Sequence, residues 1–537
     1  MITVARAAGA GTGLPIVREL PRVVDPLALY TRLSGGGRQH GSFLLESRDG
    51  AGEIGRRSIV GLSSALRISC HGEEVRILAF TSNGQSMLPW IPGAVRGAAR
   101  VEAAASSLTL HFPHGIHAGA ATTPGRDRSS PLEALRALPL RVRCAAEDSG
   151  DLFLAAGLLS YELACPSWVP GATLAQRESS PLYELFIPER LVFVDHRLSR
   201  TLLVAHAFGG GSFDDNRRAA VAGLDDLERA ADAIPPAATE APVHAGLPFG
   251  ALSVAEPDIS DEAFAEIVAG LRERLERGEV YQVVPSRSFS APCRDPLAAY
   301  AVLRDLEPSP YQFYVRSPRE TILGASPEPA VRIEGLPPRV TVRPIAGTAP
   351  RGIGPDGSVD PELDMRRAAA LLLDVKETAE HMMLVDLARN DVARVCRPGT
   401  RRVTRLLELE KYARIMHLVS EVQGELADGL DALDAYLSTM NPGTLVGAPK
   451  IAAAKILGAI EHGPRGIFGG AVGYLTASGR LDSAIAIRTA VVREGVARAR
   501  AGAGVVLGSD PAREAMETRR KAEAVLHAVA IAEGRDG

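Results

Sequence analysis

At 537 residues, with 46% hydrophobic and 23% charged side chains and a formal net charge of −4, the chain has enough apolar material for two or more domains or one large intertwined core. That balance excludes intrinsic disorder, and the slight acidity lacks the basic surplus of a nucleic-acid-binding surface, leaving a soluble globular enzyme as the expectation. No run approaches about 18 uninterrupted apolar residues and the first twenty lack a long apolar signal core, so no membrane span or leader is expected. The five cysteines, Cys70, Cys144, Cys165, Cys293 and Cys396, show no CxxC or Cys/His ligand spacing. They read as free thiols in a reducing, cytoplasmic compartment.

From about residue 14 to 230, short β-rich runs (RSIVGL, ALRISC, RLVFVDH, TLLVAHAF) alternate with turn signals and helical segments such as PLEALRALPL and NRRAAVAGLDDLERAADAI. Residues 1–233 are therefore expected to form an α+β region of mostly antiparallel strands. The Pro/Ala-rich, aperiodic stretch 234–250 reads as a connector, and the motifs that carry chemistry lie in 251–537.

That second region opens with Ser260 capping an amphipathic helix to about Gly278. A β-rich run, EVYQVVPSRSFS, follows, in which Tyr281 and Val283 face opposite to Gln282 and Val284. EPSPYQFYV, ETILGASPEPAVRI and RVTVRPIAGTAPRG are strands bounded by Pro or Gly. GIGPDG, within residues 351–360, formally matches GxGxxG, but Pro-Asp-Gly is turn chemistry and no helix opens there, so it is not a dinucleotide site.

Within DVKETAEHMMLVDLARND, Glu377 and Glu380 stand at i, i+3 on a segment whose other face is apolar (Met382, Met383, Val385, Leu387). His417 lies in the strand-like run KYARIMHLVSEVQGEL, where a core role and a catalytic role are both open. Arg488 sits in the apolar run LDSAIAIRTAVV, and a buried arginine there needs an anion, for which a substrate carboxylate is the better candidate.

Near the C-terminus, AGAGVVLGSDPAREAMETRRKAEAV places small residues where a backbone approaches a ligand closely. Asp510 then caps a helix that begins at Pro511. Glu514, Glu517 and Lys521 follow at i, i+3 and i+7, on one face. Such pairs are commonly solvated surface charges. Four acids from two helices can instead build an oxygen site for Mg²⁺, which keeps waters and uses one or two carboxylates plus the substrate.

The ordered series QVVPSR, PSPYQF, GASPEP, PIAGTAPRG, KETAEHMMLVDLARND, MHLVSEVQGEL, GTLVGAPK, GGAVGY, IAIRT and AGAGVVLGSDPAREAMETRRKA resembles the large subunit of anthranilate synthase, a chorismate-utilising enzyme. The match is nearly continuous from Ser260 onward and thinner before it. It implies an α+β fold of large antiparallel β-sheets packed face to face with flanking helices. It also implies a catalytic, chorismate-binding region at 251–537 and a regulatory or structural role for 1–233. By the resemblance, Glu380 and Glu517 ligate Mg²⁺, with Glu514 and Glu377 close by in water-holding or acid–base roles. Gly347, Thr348, His417 and Thr444 are ring-side positions. Arg488, Lys521 and the backbone around Gly502 and Gly504 cradle the substrate carboxylates.

Two positions in the superfamily choose the nucleophile. Water-adding relatives carry a lysine base in the QVVPSR strand, where this chain has Gln282, which cannot deprotonate water. Relatives that form a covalent adduct have a lysine where this chain has Ala346. Ammonia is therefore the expected nucleophile at C2, giving 2-amino-2-deoxyisochorismate and then, on loss of pyruvate, anthranilate.

No cysteine sits in a glutaminase elbow, so a separate glutamine amidotransferase subunit is implied, in a heterotetramer or with a homo-oligomer. Two departures qualify the resemblance. The family reads RGxYGG where this chain has RGIFGG, so Phe468 lacks a hydroxyl expected beside the departing pyruvate. Release of the amino intermediate, as in specialised metabolism, is thus the alternative product. A tryptophan-feedback site is implied at Glu46, Ser47, Pro310, Tyr311 and Gln312, but Glu307 and Gln312 replace asparagine and methionine, and weakened inhibition is expected.

Overall fold

The computed structural model describes residues 9–48, 57–113, 129–145, 149–164, 180–235, 255–354, 358–412 and 415–534. Two long strands, Arg57–His71 and Tyr183–Asp195, pair antiparallel along most of their length. Their register shifts between Ser64 and Leu66, where Ser63 takes a φ of 49°. A bulge of this kind bends a strand, and here it lets one strand pair serve two sheets.

From the first half of Arg57–His71, one sheet runs through Ser42–Glu46, Tyr311–Arg316, Thr321–Ser326, Thr489–Arg493 and Val496–Gly502 to Ser286–Pro292. From the first half of Tyr183–Asp195, another runs through Leu154–Leu159, Ala471–Thr476, Leu481–Ile485, Pro329–Glu334 and Arg339–Val342 to Ile415–Glu425 and Arg402–Lys411. All these pairings are antiparallel. Phe43, Phe313 and Ile322 of the first sheet bury against Leu154, Ala156 and Val472 of the second, so the expected face-to-face packing is present.

Helices cover the outer faces. The C-terminal helix, Pro511–Ala532, shares a core with the helix Pro296–Leu306 on the first sheet. The helix Val375–Ala393 packs on the second, burying Leu384, Val385, Ala388 and Val392. Each acidic pair therefore rides on a different sheet.

The strands of residues 1–233 and 251–537 belong to one hydrogen-bonded network, through Ser42–Glu46 with Tyr311–Arg316 and through Leu154–Leu159 with Ala471–Thr476. The division at 234–250, of which 236–250 lie outside the described residues, separates stretches of chain rather than separate sheets.

Two local expectations are corrected, and one is refined. The run after Glu279 is not one strand: Gln282–Val283 pairs with Gly447–Ala448 in a separate two-stranded ribbon, and a new strand begins only at Ser286, after Pro285. Strict alternation fails with it, since Tyr281 is exposed but Val283 and Val284 are both buried, the ribbon being covered on both sides. Arg488 is not within a strand. It occupies the break between Leu481–Ile485 and Thr489–Arg493, half-buried, with a φ of 50°. Of GIGPDG, residues 352–354 are described; Ile353 bridges Val359, and, against the expectation that no helix opens in this stretch, Asp360 caps a helix that starts at Pro361.

Candidate active site

Asp510 caps the C-terminal helix by accepting the Arg513 N–H at 2.9 Å, with Pro511 in its first turn. Buried Arg287 fixes that end of the helix, donating to Thr518 Oγ1 (2.9 Å), the Ala515 carbonyl (2.8 Å) and Asp261 (2.6 Å). On the exposed face, Lys521 pairs with Glu517 at 2.7 Å and donates to the Gly502 carbonyl at 3.1 Å. Lys521 thus ties the small-residue run to the helix that follows it.

Asp374 caps the opposing helix through Lys376 N and Glu377 N. Buried His381, in the second turn, reaches the Ala346 carbonyl at 3.0 Å and Ser420 Oγ at 2.7 Å, fixing the helix over the strand that carries His417.

The acidic pairs on the two helices lie close enough to feel each other's charge. Burial raises the Glu377 carboxyl pKa, and the charges of neighbouring Glu380 and of Glu517, on the other helix, add to the rise. Burial also raises Glu514; Ser509, Lys521 and Lys376 partly oppose this, while Glu517 adds to it. Glu377 and Glu514, each raised by burial and by the charge of Glu517, mark a site with unbalanced negative charge. That donor chemistry fits a hard divalent cation. Among the described residues no three Asp, Glu, His or Cys side chains are grouped so as to hold a metal ion; Mg²⁺ commonly takes only one or two carboxylates, with waters and substrate oxygens as its other ligands.

Gln282 joins the acids to the rest of the site. Its Nε2 donates to Glu380 Oε1 at 2.8 Å, while its Oε1 is buried without a partner. Two glycines make room for it. A Cβ on Gly504 would stand 2.8 Å from Gln282 Nε2, and one on Gly447, at φ 121°, would stand 2.1 Å from the Gln282 carbonyl oxygen.

His417 Nδ1 lies 2.8 Å from Thr348 Oγ1, and its Nε2 is buried with no partner among the described residues. Burial, with the nearby Arg488 charge, lowers its pKa to about 4 despite a hydrogen bond with the Gly347 backbone. The imidazole is therefore neutral near pH 7, with one ring nitrogen uncommitted. Gly347, at φ 86°, would bring a Cβ to 3.1 Å from Leu418 Cδ1. Arg488, close enough to depress His417, makes no ion pair among the described residues.

Two participants were not singled out from the sequence. Glu328, in GASPEP, accepts the Thr444 hydroxyl at 3.0 Å, and burial pushes its carboxyl up to about 7, against the Thr444 hydrogen bond and the Lys521 charge. The available signal was an acid between two prolines just after a wholly buried strand. Arg465, in PRGIFGG, is buried and donates to the Leu445 carbonyl (2.7 Å), the Val284 carbonyl (2.7 Å) and Glu461 (2.8 Å), with its guanidinium 5.7 Å from the Phe468 ring centre. Phe468 is buried between Arg465 and Arg500.

The residues expected to form a feedback site converge elsewhere. Glu46, Ser47, Pro310, Tyr311 and Gln312 line one cavity of about 380 Å³ between the two sheets. Glu46 is engaged by Tyr300 (2.6 Å) and Arg304 (2.8 Å), and burial raises its pKa. Gln312 Nε2 donates to the Arg304 and Glu307 carbonyls, leaving its Oε1 unpartnered. Glu307 is not among the residues lining the cavity.

Residues 105–527 match the family model described as chorismate binding enzyme. The chain is 43% identical over 531 residues to the pyocyanine-specific anthranilate synthase component 1 of Pseudomonas aeruginosa, covering 98% of this chain and 97% of that one. It is 40% identical over 514 residues to anthranilate synthase component 1 of Vibrio parahaemolyticus, covering 96% and 92%. Among solved structures, anthranilate synthase component I of Streptococcus pneumoniae superposes with a TM-score of 0.61 at 27% identity, over 88% of this chain and 92% of that one. The menaquinone-specific isochorismate synthase of Escherichia coli shares the fold, with a TM-score of 0.63 at 17% identity over 98% and 96%.

Proposed function

The chain belongs to the chorismate-binding enzyme family, and from that premise we propose that it is an anthranilate synthase-type lyase that aminates chorismate at C2 with ammonia and then expels pyruvate to give anthranilate. The observation that carries this reading is the meeting of two glutamate-bearing helices beside Gln282, a position where no lysine base is available to activate water. Glu380 and Glu517 would hold Mg²⁺, with Glu514 and Glu377 nearby; when bound, the ion would withdraw charge from the ring carboxylate as a Lewis acid.

The chain's own groups supply the rest. Glu328, about half protonated near pH 7, donates its proton to the departing C4 hydroxyl, with Thr444 orienting it. Gln282 offers no base, so ammonia adds unassisted by this residue. His417, neutral with a free Nε2, takes the C2 proton in the elimination, and Thr348 fixes its ring. Arg488, without a carboxylate partner, and Lys521, with the backbone at Gly502 and Gly504, receive the substrate carboxylates. The region 251–537 carries these groups, and 1–233 has a regulatory and structural role.

Relatives named component 1 support a second component, a glutamine amidotransferase that delivers ammonia in the cytoplasm; among the described residues no helix is long and apolar enough to cross a membrane. A second reading, release of 2-amino-2-deoxyisochorismate, is favoured by Phe468, which has no hydroxyl to hold departing pyruvate; one such hydrogen bond to a charged group is worth about 1.5–3 kcal/mol. Incubation with chorismate, Mg²⁺ and an ammonium salt separates the two: fluorescent anthranilate is expected, a non-fluorescent amino acid product selects the second reading, and unconsumed chorismate overturns both. Tryptophan is expected to inhibit weakly, because the polar Gln312 reaches the cavity and Glu46 is already engaged; inhibition at micromolar tryptophan contradicts this.

A further inference from the structure

A second cavity, of about 430 Å³, opens where the loop at Gly36–Arg38, the turn at Cys293–Pro296, the turn at Pro318–Arg319 and the hairpin at Glu494–Gly495 meet. It lies at the far ends of Tyr311–Arg316, Thr321–Ser326 and Thr489–Arg493 from Gln312, Glu328 and Arg488, and so apart from both sites described above. Four guanidinium groups line it, those of Arg38, Arg294, Arg316 and Arg319.

Those cations are poorly compensated. Arg38, Arg316 and Arg319 make no ion pair among the described residues. Arg316 gives one N–H to Thr321 Oγ1 at 2.6 Å, and the carboxylate nearest Arg294, that of Glu533, stands 3.9 Å away. Two carboxylates line the cavity. Asp295 is occupied in capping a helix, accepting Leu297 N at 3.1 Å and Ala298 N at 3.0 Å, and Glu494 forms no ion pair among the described residues. Arg38, Arg294 and Arg319 are exposed and Arg316 is half-buried, and four positive charges against two negative ones around a space of small-molecule size give a positive potential that favours an anion. Planar guanidinium forks match phosphate and carboxylate oxygens in pairs.

We infer that this cavity binds a small polyanion, a phosphate ester or a polycarboxylate, at a site separate from the acidic helices. The experiment is calorimetric titration of the full chain, in metal-free buffer, with pyrophosphate and separately with citrate. It compares wild type with the double variant Arg38→Gln/Arg319→Gln and with Lys521→Ala, which removes a cation from the other site. Binding of at least one probe is expected, weakened at least about tenfold in the double variant by loss of two charge-assisted contacts and retained in Lys521→Ala. The probe that binds tells phosphate ester from polycarboxylate. Failure of wild type to bind either at millimolar concentration, equal affinity in the double variant, or loss in Lys521→Ala alone overturns the assignment. Should the double variant unfold early, Arg294→Glu, at an exposed position, replaces it with the same expected loss.

Discussion

Burial displaces Glu328 and His417 in opposite directions, up to about 7 and down to about 4, so both are largely uncharged between those values. The consequences for stability have opposite signs. Glu328 holds its proton more tightly folded than unfolded, so its contribution is full below the ordinary value of 4.5 and is lost as pH rises through about 7. The shift corresponds to something on the order of 3 kcal/mol. His417 binds its proton less tightly when folded, so stability is lost as pH falls from the ordinary 6.5 toward about 4. Relative to wild type, Glu328→Gln should therefore become progressively more stable from pH 5 to 8, and His417→Gln from pH 6.5 down to 4.5, as read from denaturant midpoints. Parallel trends for the two variants would contradict the assigned shifts. In turnover, Glu328→Gln is expected to lose roughly 10²–10⁴-fold in chorismate consumption, the usual weight of a general acid.

The elements that form the site are held together by groups away from the chemistry. Arg465 joins the carbonyl of Val284, just beyond Gln282, to that of Leu445, just beyond Thr444, while lying against the Phe468 ring. Its guanidinium is satisfied by a geometry that an ammonium cannot reproduce. Arg465→Lys should cost about 2–4 kcal/mol in stability, because the Val284 and Leu445 carbonyls lose their buried donor and Glu461, still held by Ser286 and Arg500, loses one of its two cations. It should also lower turnover while the secondary structure, read by circular dichroism, is retained. A variant as stable and active as wild type would show that the three segments are fixed by other contacts. This clamp was not legible in the sequence. Nothing local in PRGIFGG marks Arg465 as a clamp, and only the fold brings residues 284, 445 and 465 together. The caps were legible, because Asp510 with Pro511 and Ser260 with its following acids are local signals.

At the scale of the whole molecule, two sheets share one bent strand pair, and strands before and after the connector alternate within them. A fragment of residues 255–537 expressed alone would expose the edges of Tyr311–Arg316 and Ala471–Thr476 and bare Phe313, Ile322 and Val472. It is expected to aggregate and to show no cooperative unfolding transition, and co-expression with residues 1–235 is expected to restore a soluble complex; a soluble fragment with a sharp thermal transition would refute this. The sequence by itself determined the chemistry on offer: which side chains are acids, which positions lack a lysine, where helices begin, and which family the ordered motifs belong to. These follow from residue identity and short-range spacing. Tertiary structure alone decided which groups meet and in what charge state. That Glu377 feels Glu517 across two helices, that Glu328 holds its proton near neutrality, and that Arg488 stands in a strand break with no ion pair among the described residues depends on partners that packing brings from distant parts of the chain and on how completely it removes water from them.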